Sequence, residues 1–162
     1  MATITSAQTG DWTASSTWLG GVSPGNGDSA VIASSHIVTV DSNITVGTSD
    51  VDDVGVAAIT VQNGATLVID AFTMTCRGDI DISACNNSTR GLDLLAGASI
   101  EFDDTVAVGS ESYRIITPSQ YPGTQPCIRV RGTSILRCSI GIATSGTYAR
   151  IVGSGEIGRA HV

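Results

Sequence analysis

Three short segments of the chain repeat one pattern, and this repeat most constrains the fold. The segments read NGATLVID around Gly64, AGASIEFD around Gly97 and RGTSILRC around Gly132. In each, the glycine precedes a small residue, a Ser or Thr and an aliphatic-x-apolar strand, except that Arg137 breaks the third copy. The glycines lie 33 and 35 residues apart. A turn glycine followed by a short strand is typical of a coiled solenoid, in which alternate strand side chains point into one core.

Apolar residues elsewhere come in short alternating bursts, and no helix is predicted. The bursts are IVTV, ITV, AITV, TLVID, DIDIS, SIEFD, YRIIT, CIRVRG, SILRCSI and ARIV. Gly, Asn, Asp or Pro stands close to most of them, which is typical of strands bounded by turns. We therefore predict an all-β chain, a single-stranded right-handed parallel β-helix whose repeat is one large coil with loops or two small ones. A β-sandwich is the alternative, since it is also built from short strands of this kind.

The composition is that of one folded domain with an acidic surface. A chain of 162 residues with 41% hydrophobic and 14% charged residues can bury one core. Acidic residues outnumber basic ones by 15 to 8, and the net charge is −7. This field repels a phosphate backbone, so we expect no nucleic-acid partner. No apolar run is long enough to cross a bilayer, so we expect no membrane insertion.

The segment GDWTASSTWLGGVSPGNGDSAVIASSHIVTVDSNITVG, residues 10–47, is predicted to cap the first coil. Trp12 and Trp18 are the only tryptophans, and we expect them to pack at the amino-terminal end. A tight non-helical loop then follows, built on Gly20, Gly21, Pro24, Gly25, Gly27 and Asp28. The next two strands offer Val31, Ile37 or Val38, and Val40 as core residues. Such an end cap keeps the open edge of a solenoid soluble.

The order of these residues resembles the eight-glycine (G-eight) domain. The matching positions are Trp12, Thr17–Trp18, Gly20–Gly21, Pro24, Gly27–Asp28, Val31–Ile32, His36 and Val38–Asp41. In that family the segment heads β-helical regions of large cell-surface proteins, some acting on hyaluronan, and of bacterial and phage proteins. The family has no agreed catalytic residues, so the resemblance implies none here.

The start MATITSAQTGDW has neither a basic region nor an apolar segment, so no secretory signal peptide is predicted. With the resemblance, this implies a structural or adhesin module, the N-terminal fragment of a β-helical phage tail or virion-surface protein. It would lie in the virion, or outside the cell after lysis. Candidate associations are a homotrimer and a cell-surface polysaccharide. The alternative is a fragment of a secreted or cell-surface polysaccharide-acting enzyme of the hyaluronan type, if the true start lies upstream.

The last residues, Glu156–Val162, are predicted not to be native. Back-translated as GAG-ATC-GGA-AGA-GCA-CAC-GTC and followed by TGA, they resemble a widely used short-read sequencing adapter that supplies its own stop. The predicted division of the chain is therefore a cap with the first strands at 1–47, truncated β-helix coils at 48–155 and an adapter-encoded tail at 156–162. Codons that differ from these would remove the hypothesis.

Carboxylates and one histidine are the candidates for acid–base chemistry. Asp79 and Asp81 alternate along a strand and are expected to share its outer face, whereas Asp103–Asp104 and the acids within 50–53 stand at turns, where aspartate is common anyway. His36 has no orienting acid beside it and is interpreted as structural. We accordingly predict no catalytic, cofactor-binding or metal-ligating residue, and no cofactor.

Arginines are the candidates for glycan contacts. Arg129 and Arg131 flank Val130 and are expected to point outward together, with Arg137 about one turn away. They could grip an anionic sugar, or they could be solvated surface charge. The four cysteines, Cys76, Cys85, Cys127 and Cys138, match no zinc spacing and are predicted to be buried free thiols.

Overall fold

A computed structural model of the chain describes residues 2–48, 57–85, 91–103, 115–116, 128–136, 151–153 and 156–157. A short 3-10 helix spans Ser15–Thr17. The strands are β1 (Thr3–Thr5), β2 (Gly10–Asp11), β3 (Ser29–Ile32), β4 (Ile37–Val40), β5 (Ile44–Gly47), β6 (Ala57–Val61), β7 (Thr66–Ile69), β8 (Thr73–Arg77), β9 (Asp79–Asp81), β10 (Leu92–Leu94), β11 (Ser99–Phe102), β12 (Ile115–Ile116), β13 (Ile128–Val130), β14 (Ile135–Leu136), β15 (Ile151–Gly153) and β16 (Glu156–Ile157).

The strands form three parallel sheets. Sheet 1 has the order β1-β3-β6-β9-β12, sheet 2 the order β2-β4-β7-β10-β13-β15, and sheet 3 the order β5-β8-β11-β14-β16. From β3 to β14, successive strands visit sheets 1, 2 and 3 in turn, and each pairs in parallel with the strand one turn away. The predicted parallel β-helix is confirmed. The β-sandwich alternative is wrong, because a sandwich is built from antiparallel strand pairs.

The turns of the helix differ in length. In sheet 2, Ile37 pairs with Thr66, which makes the first of these turns 29 residues long. Leu92 pairs with both Leu67 and Ile128, so the next two turns take 25 and 36 residues. The strands and corners are similar in each turn, and the connections between them absorb the difference. A fixed sequence period therefore does not describe this solenoid.

The three repeated segments do not occupy one corner of the helix. The strand after Gly64 is β7 in sheet 2, whereas the strands after Gly97 and Gly132 are β11 and β14 in sheet 3. The first interval of 33 residues is therefore one turn plus one corner. The motif recurs because both corners need the same tight bend. The motif therefore indicates where a corner lies, but its spacing does not give the length of a turn.

Each of these bends is closed by a backbone hydrogen bond across three residues. The N–H of Ala65 donates to the carbonyl of Gln62, and the N–H of Ala98 donates to that of Leu95, both at 3.0 Å. Gly64 and Gly97 have φ of 80° and 88°, a conformation that a side chain disfavours.

The third bend places its glycine one position earlier. The backbone N–H of Ser134 donates to the carbonyl of Arg131 at 3.1 Å, and Gly132 has φ of 58°. As a result Ser99 pairs with Ile135 and not with the serine that the sequence pattern aligns to it.

Stacked apolar columns fill the interior. In sheet 2 the two columns are Val38–Leu67–Leu92–Ile128 and Val40–Ile69–Leu94–Val130, all buried. Sheet 3 contributes Val46, Met74, Cys76 and Ile100, and sheet 1 contributes Ala30, Ile32, Ile59, Val61 and Ile80. The strands β4, β7 and β13 thus bury alternate residues against those of the turns above and below.

Core residues predicted for the first turn are partly corrected by the structure. Val38 and Val40 are buried, while Ile37 is 47% exposed. Val31 is only partly buried, because alternation in β3 places Ala30 and Ile32 on the inner face. Cys76 and Cys85 are buried free thiols, as predicted, and the other two cysteines lie outside the described residues. In the part of the chain that the structure describes, no helix is long and apolar enough to span a membrane.

Candidate functional site

The indoles of Trp12 and Trp18 are buried in contact with each other at the amino-terminal end. They are 1% and 2% exposed, and their ring centroids lie 4.9 Å apart at an interplanar angle of 71°. The Nε1–H of Trp12 donates to the carbonyl of Pro24 at 3.0 Å, and that of Trp18 donates to the carbonyl of Trp12 at 2.7 Å. Both indole donors are satisfied, which a buried tryptophan requires. The edge-to-face pair belongs to the apolar core.

Backbone hydrogen bonds close the outer edge of β1. Thr5 accepts from the N–H of Leu19 at 2.9 Å, and Ala7 donates to Thr17 at 2.7 Å. Ser6 and Trp18 form an antiparallel bridge. The residues around the 3-10 helix therefore return along β1, so that its edge is not left open to another chain.

The glycine-rich loop of the predicted cap pairs with the end of β5. Gly20, Gly21 and Gly27 all have positive φ, between 73° and 90°. Gly27 donates to the carbonyl of Gly47, and Gly47 donates to that of Asp28, each at 2.8 Å. The Asp28 carboxylate accepts from the N–H of Ala2 at 3.1 Å and from that of Gly25 at 3.3 Å. We call residues 2–28 the cap segment.

Polar side chains tie each turn to the next along the outside of the helix. The pairs are Thr9–Ile37, Thr13–Asp41, Ser34–Gln62, Asn43–Thr73, Arg77–Asp103 and Asp93–Arg131. Each pair joins residues one turn apart. In four of them a side-chain oxygen accepts from a backbone N–H at a corner or strand end, which satisfies a donor that the parallel ladder leaves free.

The carboxylate of Asp41 illustrates how these ties work. Burial alone would raise its pKa, but hydrogen bonds from the hydroxyl and the backbone N–H of Thr13, and from its own backbone, lower the pKa below the ordinary 3.8. The charged form is thus the one that the fold stabilises.

The acids of the candidate pairs differ in burial and in their hydrogen-bond partners. Asp79 is buried, and Asp81 lies partly exposed and accepts from the N–H of Ser83 at 2.8 Å. Asp103 accepts from Nε of Arg77 at 3.0 Å. Asp104 and residues 50, 52 and 53 lie outside the described residues. Within the described ranges, no group of three or more His, Cys, Asp or Glu residues could hold a metal ion.

His36 contacts a serine that sequence reasoning did not single out. The Oγ of buried Ser6 lies 2.8 Å from Nδ1 of His36 and accepts from the N–H of Ala33 at 2.9 Å. A hydroxyl that already accepts from Ala33 still has its own proton to donate to Nδ1 of a neutral imidazole. The pair connects β1 with the corner after β3 and positions His36 at that corner.

Two of the three arginines predicted as glycan contacts, Arg129 and Arg131, lie on the outer face of sheet 2. Arg131 donates from Nε to Oδ1 of Asp93 at 2.9 Å and from Nη2 to Oδ2 of the same carboxylate. The hydrogen bonds that Arg131 donates to the Asp93 carboxylate raise the pKa of the Arg131 guanidinium above its ordinary value. Arg129 is the register partner of Asp93 on the neighbouring strand. Arg137 lies outside the described residues.

Asp93 is the residue that sequence reasoning missed in this cluster. It stands between Leu92 and Leu94, whose apolar side chains point inward, so strand alternation alone puts its carboxylate outside. The pairing with Arg131 could not be found in the sequence, because 38 residues separate the two. Comparison with known proteins found no matching protein-family model, no matching curated protein and no matching solved structure.

Proposed function

We propose that the chain is a structural module, the amino-terminal part of a β-helical phage tail or virion-surface protein that serves as a stiff stalk or platform. The observation that carries the proposal is the series of polar ties between successive turns. These ties use the outward side chains to hold one turn on the next, which is what resistance to bending requires.

The charge distribution supports the same proposal. The carboxylates of Asp28, Asp41, Asp81, Asp93 and Asp103 each accept a hydrogen bond from the backbone or an arginine of this chain. Carboxylates that cut a polysaccharide must instead face the substrate, with one of them free to give or take a proton. These five carboxylates thus favour a stalk over the polysaccharide-acting alternative.

A rigid stalk should resist proteolysis, and this is the direct biochemical test. We expect limited thermolysin digestion of the folded chain to leave residues 2–48 and 57–85 in one protected fragment, because both segments contribute strands to the same sheets. Mass spectrometry of the fragments locates the cuts. Early cleavage inside β3 to β8 would contradict the proposal.

The genetic setting tests the virion assignment separately. We expect the complete gene to lie among tail and baseplate genes. An adjacent exporter together with an upstream signal peptide would instead support the secreted enzyme. Sedimentation of the purified chain tests the proposed homotrimer, and a monomer at every concentration would remove that assembly.

A further inference from the structure

The dipeptide Asn-Gly occurs twice in the chain, as Asn26–Gly27 and as Asn63–Gly64. Both asparagines are exposed, and both glycines have positive φ, of 90° at Gly27 and 80° at Gly64. The two pairs therefore match in sequence, in exposure and in the conformation of the glycine. They differ in the hydrogen bonds that hold them.

The Asn26–Gly27 pair is restrained at its side chain and at its backbone. The side-chain oxygen of Asn26 accepts from Nη1 of Arg77 at 2.9 Å, and Nε of the same arginine is fixed by Asp103 at 3.0 Å. The N–H of Gly27 donates to the carbonyl of Gly47 at 2.8 Å, and Asn26 forms a parallel bridge with that glycine. Neither the side-chain amide nor the glycine nitrogen can move towards the other unless these hydrogen bonds open.

The Asn63–Gly64 pair has neither restraint. Among the described residues, no hydrogen bond of the Asn63 side chain or of the Gly64 N–H is found. The bend is closed by the hydrogen bond from Ala65 to Gln62, which spans the central peptide between Asn63 and Gly64 but does not include it. Because glycine has no Cβ, this central peptide can rotate at little cost. The nitrogen of Gly64 can then approach the side-chain carbonyl of Asn63.

We propose that Asn63 is a site of spontaneous deamidation, in which the nitrogen of Gly64 attacks Cγ of Asn63. A new Cγ–N bond closes a five-membered succinimide ring, while the bond from Cγ to the side-chain nitrogen breaks. That nitrogen leaves as ammonia and carries away the proton of the Gly64 amide. Water then opens the ring. Hydrolysis of the new Cγ–N bond leaves aspartate, whereas hydrolysis at the backbone carbonyl leaves isoaspartate, in which the main chain is longer by one methylene.

Isoaspartate at position 63 changes a bend that contacts the preceding turn. Oε1 of Gln62 accepts from the backbone N–H of Ser34 at 3.2 Å. The backbone nitrogen of Ser35 lies 3.6 Å from the position that a Cβ on Gly64 would occupy. A longer main chain at Asn63 must displace one of these neighbours, whereas aspartate keeps the main chain and adds only a negative charge. This modification is independent of the proposed stalk function.

Ageing of the full chain at mildly alkaline pH, followed by peptide mapping, tests the proposal. Mass spectrometry detects the replacement of NH₂ by OH at each asparagine, and isoaspartyl methyltransferase labels the isoaspartate. We expect the folded chain to convert Asn63 at least about tenfold faster than Asn26, because the hydrogen bonds of Asn26 and Gly27 must open first. In concentrated urea the two asparagines should convert at similar rates, since the dipeptides are the same and those hydrogen bonds are absent.

Asn63→Gln and Asn26→Gln are the matched variants. Glutamine would have to close a larger ring, so Asn63→Gln should remove most of the isoaspartate from the aged folded chain. Asn26→Gln should leave the amount of isoaspartate unchanged, because Asn26 is the protected copy of the dipeptide.

Equal conversion of the two asparagines in the folded chain, or faster conversion of Asn26, would overturn the proposal. So would undiminished isoaspartate in Asn63→Gln, and so would an Asn63 that stays intact in the folded chain while the chain in urea is fully converted. A difference between the two asparagines that persists in urea would show that their sequence neighbours set the rates, and would overturn the argument from hydrogen bonds.

Discussion

Replacing Trp12 by alanine should remove the largest single contribution to the cap segment. The side chain is 1% exposed, and its Nε1–H donates to the carbonyl of Pro24. About 200 Å² of buried aromatic surface at ~25 cal/mol/Å² corresponds to about 5 kcal/mol. Measured Trp→Ala changes in cores cost about 3–5 kcal/mol, so we expect a loss of about 4 kcal/mol in the free energy of unfolding.

Urea unfolding followed by far-UV circular dichroism measures this loss. Leu19→Ala is the matched control, because Leu19 lies in the same segment and is 61% exposed. It should change the free energy of unfolding by less than about 0.5 kcal/mol. Trp12→Phe should cost about 1–2 kcal/mol, since it keeps an aromatic ring but leaves the carbonyl of Pro24 without its donor.

The urea unfolding transition of Trp12→Ala also shows whether the cap segment stabilises the turns that follow it. A solenoid is stabilised by contacts between neighbouring turns, so loss of the cap could unfold the first turn before the others. The fluorescence of Trp18, which remains in Trp12→Ala, would then change at lower urea than the circular dichroism signal. If Trp12→Ala and Leu19→Ala proved equally stable, the buried indole pair would not hold the end of the helix, and the reasoning would be refuted.

Three further comparisons follow from single contacts. Gly47→Ala should lower the free energy of unfolding by more than about 2 kcal/mol, because a Cβ at Gly47 would lie 2.3 Å from the carbonyl oxygen of Arg77. The Cβ of Gly20→Ala would meet no atom within 4 Å, so this variant should lose only the ~1 kcal/mol that its positive φ costs. Thermal melts compare the two variants. Ser29→Ala should raise the unfolding midpoint, because the buried Ser29 hydroxyl has no hydrogen-bond partner among the residues that the structure describes, while Ser6→Ala should lower it by removing the acceptor of a backbone N–H. A lower midpoint for Ser29→Ala would contradict this. The lowered pKa of Asp41 means that its carboxylate contributes stability above the ordinary pKa of 3.8, and this contribution is lost as the pH falls through the folded value. Acid titration of Asp41→Asn should therefore show a smaller loss of stability below about pH 4 than that of the wild type.

Several strands could be read directly from local alternation. The burst IVTV is β4, and the bursts AITV and TLVID locate β6 and β7 to within one residue. Five strands were not predicted, namely β1, β2, β8, β10 and β16. β8 alternates Thr, Met, Thr and Cys and could have been found from its period of two, whereas β10 is three residues long and has too few positions to show a period.

The arrangement of turns could not be read in the same way. The glycine motif recurs wherever the chain needs a tight bend, so it does not distinguish the corner before sheet 2 from the corner before sheet 3. Which corner a copy occupies depends on the pairing of whole strands. That pairing joins residues 21 to 36 positions apart through backbone groups that are the same in every residue.

By itself, then, the sequence determined that the chain is all-β, where most strands begin, that glycines bend it and that its tryptophans and valines are available for burial. These are local properties, set by alternation and by the φ angles that glycine permits. Only the tertiary structure decided that Arg131 grips Asp93, that Ser6 contacts His36 and that the loop around Gly27 pairs with the end of β5. Those contacts depend on which residues the winding of the chain brings one above another, and the varying length of each turn hides that from any local pattern.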